Sequence, residues 1–172
     1  KKLIERVHPC LVKKKSYIAN INGVLNAIII DGHPIGKSVL QGEGAGPGPT
    51  SSALISDLCS ILRGNIKFPF GVSVFLRKKV KKFNILFHSS SSYLRVEVKD
   101  QPGVLSSITK IFAKNKISIK NLIQTPEKKK NVATIAIITH ASLEKNYKTL
   151  VVNLTKNKFV LKKPTLIRIE KV

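Results

Sequence analysis

The second half of the chain carries an order of apolar and polar residues that few folds satisfy. From residue 93 to residue 99 apolar and charged side chains alternate, as they do on a strand with one buried face. Five further segments follow with helical or strand periodicity: a helix over 104–112, strands over 117–122 and 132–139, a helix over 143–154 and a strand over 166–170. The order β-α-β-β-α-β predicts a ferredoxin-like domain, in which two helices cover one face of a four-stranded antiparallel sheet.

The first half of the chain has a weaker pattern of strands. Residues 26–30 are mostly apolar and rich in residues that favour strands, and both this segment and residues 3–7 are predicted as strands. Asp31-Gly32 is typical of a hairpin turn, so residues 35–41 are expected to return as the partner strand. The run of four serines at 89–92 predicts a short linker. We therefore place a domain boundary between residues 88 and 89.

A segment dense in glycine and proline follows the predicted hairpin. It reads Gly42-Glu43-Gly44-Ala45-Gly46-Pro47-Gly48-Pro49-Thr50. Because neither a helix nor a strand tolerates this density of glycine and proline, the segment is predicted as a loop. A helix is expected directly after it, with Thr50 or Ser51 as its N-cap and Gly64 at its C-terminal stop.

The charge of the chain is strongly positive. Lys and Arg number 31 against 9 for Asp and Glu, a formal net charge of +22. Such a charge attracts nucleic acid, but the basic residues are mostly lysines spread over every predicted element, and only 6% of residues are aromatic. We therefore favour compositional drift toward lysine over a dedicated nucleic-acid surface.

Other features of the composition limit the class of protein. The 172 residues contain no methionine, which predicts that the chain is an N-terminally truncated fragment. No apolar run approaches the roughly 18 residues of a membrane span, and no signal peptide is recognisable. Cys10 and Cys59 form neither a disulfide framework nor a zinc pattern, and His8 beside Cys10 is too few ligands for a metal. A cytoplasmic protein without a metal is expected.

Two segments resemble known families. His8-Pro9, Asn22-Gly23-Val24-Leu25 and the Gly42–Ser52 segment together resemble the homoserine dehydrogenases, in which a Gly-Ala-Gly loop leads into a helix containing Pro-Thr. Asp100-Gln101-Pro102-Gly103-Val104-Leu105, with the strand before it, resembles an ACT domain, a module that senses small molecules. The order of the two is that of many bacterial homoserine dehydrogenases.

The resemblance implies a mixed α/β and α+β fold in two parts. Residues 1–88 would be the end of the catalytic and cofactor-contacting region, and residues 89–172 would be a βαββαβ ACT regulatory domain. It also implies an oxidoreductase that interconverts L-aspartate 4-semialdehyde and L-homoserine with NADP or NAD, on the route to threonine and methionine. A homo-oligomer is expected, with no role for membranes or nucleic acid.

The glycine-rich loop is the candidate cofactor site. By resemblance it lies near the nicotinamide end of the cofactor, and Gly42, Gly44, Ala45 and Gly46 are the expected contacts. Glycines let the backbone approach a planar ligand, and a following helix offers free N–H groups at its start. The alternative is a tight structural connection without a ligand. The loop is no dinucleotide fingerprint, since the position for the third glycine holds Pro47.

The loop after the first ACT strand is the candidate effector site. A carboxylate is favoured at the start of a helix, and Gly103 can expose backbone N–H groups there. ACT domains typically pair side by side, and the resemblance implies threonine as the effector. The candidate contacts are Asp100, Gln101, Gly103, Val104 and Leu105, with Asn121 reaching across from a second copy. The alternative is a loop that only turns the chain, with sensing lost.

The catalytic residues of the family are missing from the sequence. Its Asp and Lys on a central helix have no counterpart here, so the chain alone is predicted to be inactive. A stand-alone ACT-type regulatory protein that binds an amino acid without catalysis is the alternative function.

Overall fold

The structure is a computed structural model that describes residues 2–64, 71–127 and 131–171. The chain forms two compact units. The hairpin unit comprises Val12–Lys81, and the ferredoxin-like unit comprises Lys2–Leu11 together with Lys82–Lys171. The opening residues of the chain, which our sequence boundary assigned to the first domain, are thus grouped with the second unit.

The elements are numbered in chain order. The strands are β1 (Lys2–Leu3), β2 (Cys10–Leu11), β3 (Leu25–Gly32), β4 (Gly36–Glu43), β5 (Lys81–Lys82), β6 (Ser89–Lys99), β7 (Ile119–Pro126), β8 (Val132–Thr139), β9 (Ser142–Leu143) and β10 (Thr165–Ile169). The helices are α1 (Pro47–Leu62), α2 (Val104–Lys114) and α3 (Glu144–Thr155). Among the fully described elements are short 3-10 turns at Tyr17–Asn20, Val74–Leu76 and Ile85–Phe87.

The ferredoxin-like unit is built on one sheet, in the order β2-β10-β6-β8-β7. Strands β10, β6, β8 and β7 are antiparallel neighbours, which confirms the predicted arrangement. The short strand β9 pairs with the start of β6. Strand β2 adds to the β10 edge in parallel, with Cys10 opposite Arg168 and Leu11 opposite Ile169. The sequence pattern gave no indication of this additional strand.

The core of this unit lies between the sheet and its two helices. Strand β6 contributes Leu94, Val96 and Val98, all fully buried, because alternate side chains of a strand point to the same face. The other members of the core come from α2, β8, α3 and the segment before β7: Val104, Ile108, Phe112, Ile117, Ala133, Ile135, Ile137, Tyr147, Leu150 and Leu154. Both predicted helical patterns therefore mark core-facing surfaces.

The serine run at 89–92 is not a linker, as we had predicted. These four residues open β6, and Ser90 and Ser92 are buried beneath the helices. The backbone N–H of Ser92 donates to Thr139 Oγ1 at 3.1 Å, and the Tyr147 hydroxyl donates to the Ser90 carbonyl at 3.0 Å. Serine composition suggested flexibility, but small hydroxyl side chains also fit where a helix packs closely on a strand.

The hairpin unit contains a regular β-hairpin. Strands β3 and β4 pair in antiparallel register from Leu25 opposite Glu43 to Gly32 opposite Gly36. The prediction of a turn at Asp31-Gly32 is wrong, since both residues belong to β3 and the turn occupies residues 33–35. Gly36, with φ of 74°, supplies the left-handed conformation that resumes the return strand. The predicted strand over residues 3–7 is likewise reduced to the two residues of β1.

Helix α1 begins earlier than predicted, inside the glycine–proline segment. Its N-cap is Gly46 rather than Thr50 or Ser51, and Pro47 and Pro49 occupy its first turn. Proline is compatible with these positions because first-turn N–H groups have no partner within the helix. The helix ends as expected at Gly64, whose φ is 68° and whose N–H donates to Ile61 O at 2.9 Å.

The hairpin unit has almost no buried residues. Among its described residues only Ser16 is buried. The apolar side chains of α1 are exposed by half or more, namely Leu54, Ile55, Leu58, Ile61 and Leu62. In the described part of the chain, no helix has the length and apolar character needed to cross a membrane.

Candidate cofactor loop and effector site

Gly44 lies against the side chain of Asn26 in the candidate cofactor loop, and a larger residue there would require that side chain to move. A Cβ at this residue would lie 1.8 Å from Asn26 Nδ2 and 2.4 Å from Asn26 Cγ. The Gly44 N–H donates to Val24 O at 2.9 Å, which fixes the backbone against the start of β3. We expected the backbone at Gly44 to lie close to a ligand. In the structure it lies close to the side chain of Asn26, a residue of the same hairpin.

Asn26 is a candidate contact that the sequence analysis did not identify. It lies opposite Gly42 across the hairpin and is exposed, with its amide against Gly44. An amide both donates and accepts hydrogen bonds, so it could bind a polar, uncharged group near the loop. The sequence feature that could have indicated Asn26 is its position as a polar residue within an apolar strand. Its proximity to the loop, however, follows only from the strand register.

The start of α1 is a poor site for an anion, which corrects our expectation of several free N–H groups. Pro47 and Pro49 have no N–H to offer, and the Thr50 N–H donates to Gly46 O at 3.3 Å. The Thr50 hydroxyl donates to the same carbonyl at 2.8 Å. In the first turn only the Gly48 N–H remains available. The loop thus suits a neutral ligand group better than a phosphate.

The remaining predicted loop contacts lie together on an open surface. Gly42, Ala45 and Gly46 are exposed, as is Gly44 between them. A Cβ built on Gly42 meets no heavy atom within 4 Å, so its glycine is not required by packing. Gly46 has φ of 121°, a conformation that favours glycine. The structure therefore places Gly44, Ala45 and Gly46 on one exposed loop and Gly42 at the end of β4 opposite Asn26.

The candidate effector loop joins β6 to α2. Gly103 is the N-cap of α2 in the left-handed conformation, with φ of 85°. Asp100 Oδ1 accepts a hydrogen bond from Gln124 Nε2 at 3.1 Å, and the Asp100 N–H donates to Asn131 O at 2.9 Å. Asp100 is thus held between the ends of the neighbouring strands.

A cleft of about 520 Å³ lies beside this loop. Its lining includes Asp100 and Gln101 from the predicted set. It also includes residues that the sequence did not single out: Lys99, Asn131, Val132 and Leu161. The loop therefore shares a concave surface with the start of β8 and with the segment after α3.

The other predicted effector residues are placed differently. Val104 is 4% exposed and belongs to the core, so its side chain does not reach the cleft. Leu105 is 40% exposed on α2. Asn121 lies three residues before Gln124 on β7, about 10 Å along the strand, and the structure does not bring it to the loop within one chain. Contact between Asn121 and an effector therefore remains a prediction that requires a second copy of the chain.

A cluster of charged side chains lies at the opposite end of the sheet. Glu144, the first residue of α3, is 3% exposed and accepts hydrogen bonds from Arg168 and Arg6. Its bond from Arg168 is the main reason that the pKa of the Glu144 carboxyl lies below its ordinary value. The same bond raises the pKa of the Arg168 guanidinium. Glu144 is therefore a buried carboxylate with two cationic partners.

The described residues hold no cluster of the kind that binds a metal ion. Within residues 2–64, 71–127 and 131–171, no three His, Cys, Asp or Glu side chains converge as a metal site would require. His8 lies 3.7 Å from Glu170 in the charged cluster.

Comparison with protein families gives two matches that divide the chain. Residues 2–59 match the homoserine dehydrogenase family, and residues 92–151 match the ACT domain. The first match includes the hairpin, the glycine-rich loop and most of α1. The second includes most of β6, the whole of α2, β7 and β8, and the first two thirds of α3.

Individual relatives agree with these matches. Homoserine dehydrogenase of Neisseria gonorrhoeae is 34% identical over 171 residues, and that of Helicobacter pylori is 34% identical over 165 residues. Each alignment covers 96% of this chain, and the chain spans only 39% of the length of each relative.

A solved structure supports the same relationship. The homoserine dehydrogenase of Thiobacillus denitrificans matches with a TM-score of 0.81 and 31% identity, over 96% of this chain and 38% of that one. By sequence and by fold, nearly the whole chain is similar to part of the homoserine dehydrogenases, and residues 92–151 are similar to the ACT domain.

Proposed function

We propose that this chain is the C-terminal part of an enzyme that interconverts L-aspartate 4-semialdehyde and L-homoserine with NADP or NAD. The observation that carries the proposal is the alignment of nearly the whole chain with homoserine dehydrogenases, glycine-rich loop included. Catalysis would require the residues that precede this part in the relatives. We place the enzyme in the cytoplasm and expect a homo-oligomer.

The glycine-rich loop would contribute to cofactor binding rather than to chemistry. When bound, the cofactor supplies or accepts the hydride that is exchanged with the carbonyl carbon of the substrate. Gly44 and Gly46 would keep the loop backbone open to the cofactor, and the exposed Asn26 amide would bind a polar group on it. The scarcity of free N–H groups at the start of α1 supports contact with the nicotinamide portion, which carries no negative charge.

The ACT domain would sense an amino acid, and we propose threonine. The cleft at Asp100, Gln101 and Asn131 presents a carboxylate and amide groups, which suit the ammonium and hydroxyl groups of threonine. Residues 89–172 would form this regulatory domain, with residues 2–11 as an addition to its sheet. The side-by-side pairing expected of ACT domains would bring Asn121 of a second copy toward the cleft.

The catalytic proposal is tested by restoring the missing part. The chain would replace the matching C-terminal region of the Neisseria gonorrhoeae enzyme, and NADPH-dependent reduction of aspartate semialdehyde would be measured. We expect activity in the chimera and none in the 172-residue chain alone. A folded, oligomeric chimera without activity would refute the proposal.

A matched pair of glycine variants tests the loop in that chimera. Gly44→Ala should raise the KM for NADPH about tenfold, because the new methyl group displaces Asn26 and shifts the loop. Gly42→Ala should have little effect, since a Cβ there meets nothing within 4 Å. An equal effect of the two variants would contradict the role given to Asn26 and Gly44.

A stand-alone regulatory protein remains the second candidate. The observation that favours it is that the ferredoxin-like unit contains the whole hydrophobic core found among the described residues. If the chimera is inactive while threonine still binds the chain, this second function replaces the first.

A further inference from the structure

The first ten described residues form a strap along the ferredoxin-like unit. We use "strap" for Lys2–Leu11, which is fixed by the backbone at both ends: the Phe83 N–H donates to Leu3 O, and the Glu170 N–H donates to Leu11 O, each at 2.9 Å. Every strap residue except Arg6 and His8 is exposed. Leu3, Ile4 and Leu11 keep 40–42% of their surface exposed, so the strap is attached by partial apolar burial together with a few polar contacts.

Arg6 is the central attachment of the strap. Its Nη2 lies 3.0 Å from Glu144 Oε2, and its Nη1 lies 3.6 Å from Glu170 Oε1. His8 Nε2 adds a longer contact of 3.7 Å to the same Glu170 oxygen. Because the Arg6 side chain is 16% exposed and the Glu144 side chain 4%, this pair is shielded from water and stronger than a surface ion pair.

The strap can leave without unpairing the buried carboxylate. Arg168 donates to both oxygens of Glu144 through its Nε and Nη2 atoms. If Arg6 withdraws, Glu144 therefore keeps a bidentate cationic partner, and the large penalty for an unpaired buried charge does not arise. Arg6, by contrast, has an Nη1 atom that is buried without a hydrogen bond even in the attached state. These contacts favour a strap that detaches while the domain beneath it stays folded.

Helix α3 joins the strap attachment to the cleft at the other end of the sheet. Glu144 is its first residue, and the segment that follows its last turn returns to β6 beside the cleft. There the Lys99 N–H donates to Phe159 O and the Leu161 N–H donates to Glu97 O, both at 2.9 Å. Helix α3 is roughly 18 Å long. Since Lys99 and Leu161 line the cleft, a shift of α3 along its axis would affect both the strap attachment at Glu144 and the cleft.

We propose that the strap is a releasable tether, held by Arg6 on Glu144, whose release is coupled through α3 to occupancy of the Asp100–Leu161 cleft. Release would free Cys10 and Leu11 from the β10 edge, and Val12, where the hairpin unit begins, follows Leu11 in the chain. The tether itself is independent of the proposed function, and only the choice of threonine as the cleft ligand depends on it. A tether of this kind would carry the state of the effector site to the part of the chain that bears the cofactor loop.

The tether is tested by amide hydrogen exchange on the full 172-residue chain, observed by NMR. The reporter is the Glu170 N–H, which donates to the strap, and the reference is the set of core amides in β6 and β8. In Arg6→Ala, exchange at Glu170 should rise about tenfold to a hundredfold, the range expected for loss of a charge-assisted hydrogen bond, while the core amides stay unchanged. Arg6→Lys should restore part of the protection.

Two further variants make the result specific. Glu5→Ala, on an exposed strap residue, should leave Glu170 exchange unchanged. Arg168→Ala should raise exchange throughout the unit, because it removes the bidentate partner of a buried carboxylate. Unchanged Glu170 exchange in Arg6→Ala, or an equal rise at the core amides, would overturn the tether.

The coupling is tested in the same spectra with saturating L-threonine. If the Asp100–Leu105 amides shift and Glu170 exchange changes at least threefold, the coupling is supported; by reciprocity, threonine then binds the attached and released states with affinities that differ by the same factor. If those amides shift and Glu170 does not respond, the coupling is overturned. If they do not shift, threonine is excluded as the ligand and the coupling proposed here fails with it, while the tether is decided by the Arg6 variants.

Discussion

Helices α1 and α2 both carry apolar side chains at helical spacing, yet they differ in what covers those side chains. On α2, Val104, Ile108 and Phe112 are at most 4% exposed because the sheet lies against them. On α1, Leu54 and Leu58 are more than half exposed. Exposed apolar surface of this kind is typical of a face that contacts another polypeptide segment. Apolar residues at helical spacing thus predict a helix and the face of it that packs against other residues. They do not predict whether those other residues belong to the same chain.

A pair of phenylalanine variants would give the largest difference between the two units. Phe112→Ala should lower the free energy of unfolding of the ferredoxin-like unit by about 3–5 kcal/mol, since it leaves a cavity in the core. Phe75→Ala in the hairpin unit should change it by less than about 0.5 kcal/mol, because Phe75 is 96% exposed. Urea unfolding measures both. A comparable loss for Phe75→Ala would show that the hairpin unit has a packed core after all.

A pair of tyrosine variants tests the same contrast with hydrogen bonds. The Tyr147 hydroxyl lies 2.6 Å from Thr139 Oγ1, 3.0 Å from Ser90 O and 3.1 Å from His140 O, all beneath α3. Tyr147→Phe should therefore cost about 1–3 kcal/mol, as buried polar atoms lose their partner. Tyr17→Phe, at a side chain that is 64% exposed, should be near neutral. Equal urea midpoints for the two variants would argue against a stabilising network.

Acid should affect the ferredoxin-like unit through Glu144. The bond from Arg168 holds the pKa of this carboxyl below the ordinary value near 4.5, so its contribution to stability is present above that pH and is lost as the pH falls through the lower, folded-state pKa. Between pH 7 and 5 the contribution should not change, which makes this the smallest of the three effects. Thermal unfolding of Glu144→Gln should show a shallower loss than the wild type below pH 4. Parallel profiles would contradict the assignment.

Much of the ferredoxin-like fold could be predicted because its elements repeat with clear periods. The strand over 132–139 has the predicted bounds, and the remaining elements of the predicted βαββαβ order differ by a few residues at their ends. Strand β2 could not be predicted, because a two-residue strand has no period and pairs with a distant part of the chain. Ser90 and Ser92 were predicted to lie in a linker for a related reason. Composition does not reveal which distant residues pack against a segment.

The candidate sites could be predicted less fully than the ferredoxin-like fold. The glycine-rich loop is shorter than predicted, because Gly42 and Glu43 belong to β4 and α1 begins at Pro47. The contact of Gly44 with Asn26 follows only from the hairpin register. The start of α1 was placed too late because the density of glycine and proline was taken to exclude a helix, whereas both prolines fit the first turn. At the effector loop, Asn131 and Leu161 were missed because they reach the cleft from separate elements.

The parallel pairing of β2 with β10 also has a consequence for the order of folding. Cys10 meets Arg168, so nearly the whole chain separates the two partners, and their contact closes a very large loop. Contacts between distant residues form late, because the entropy of loop closure must be overcome before they contribute. During synthesis the segment around Cys10 leaves the ribosome before β10 and has no β10 partner until that strand has been made. The sheet edge at β10 is therefore the last part of this unit to be completed.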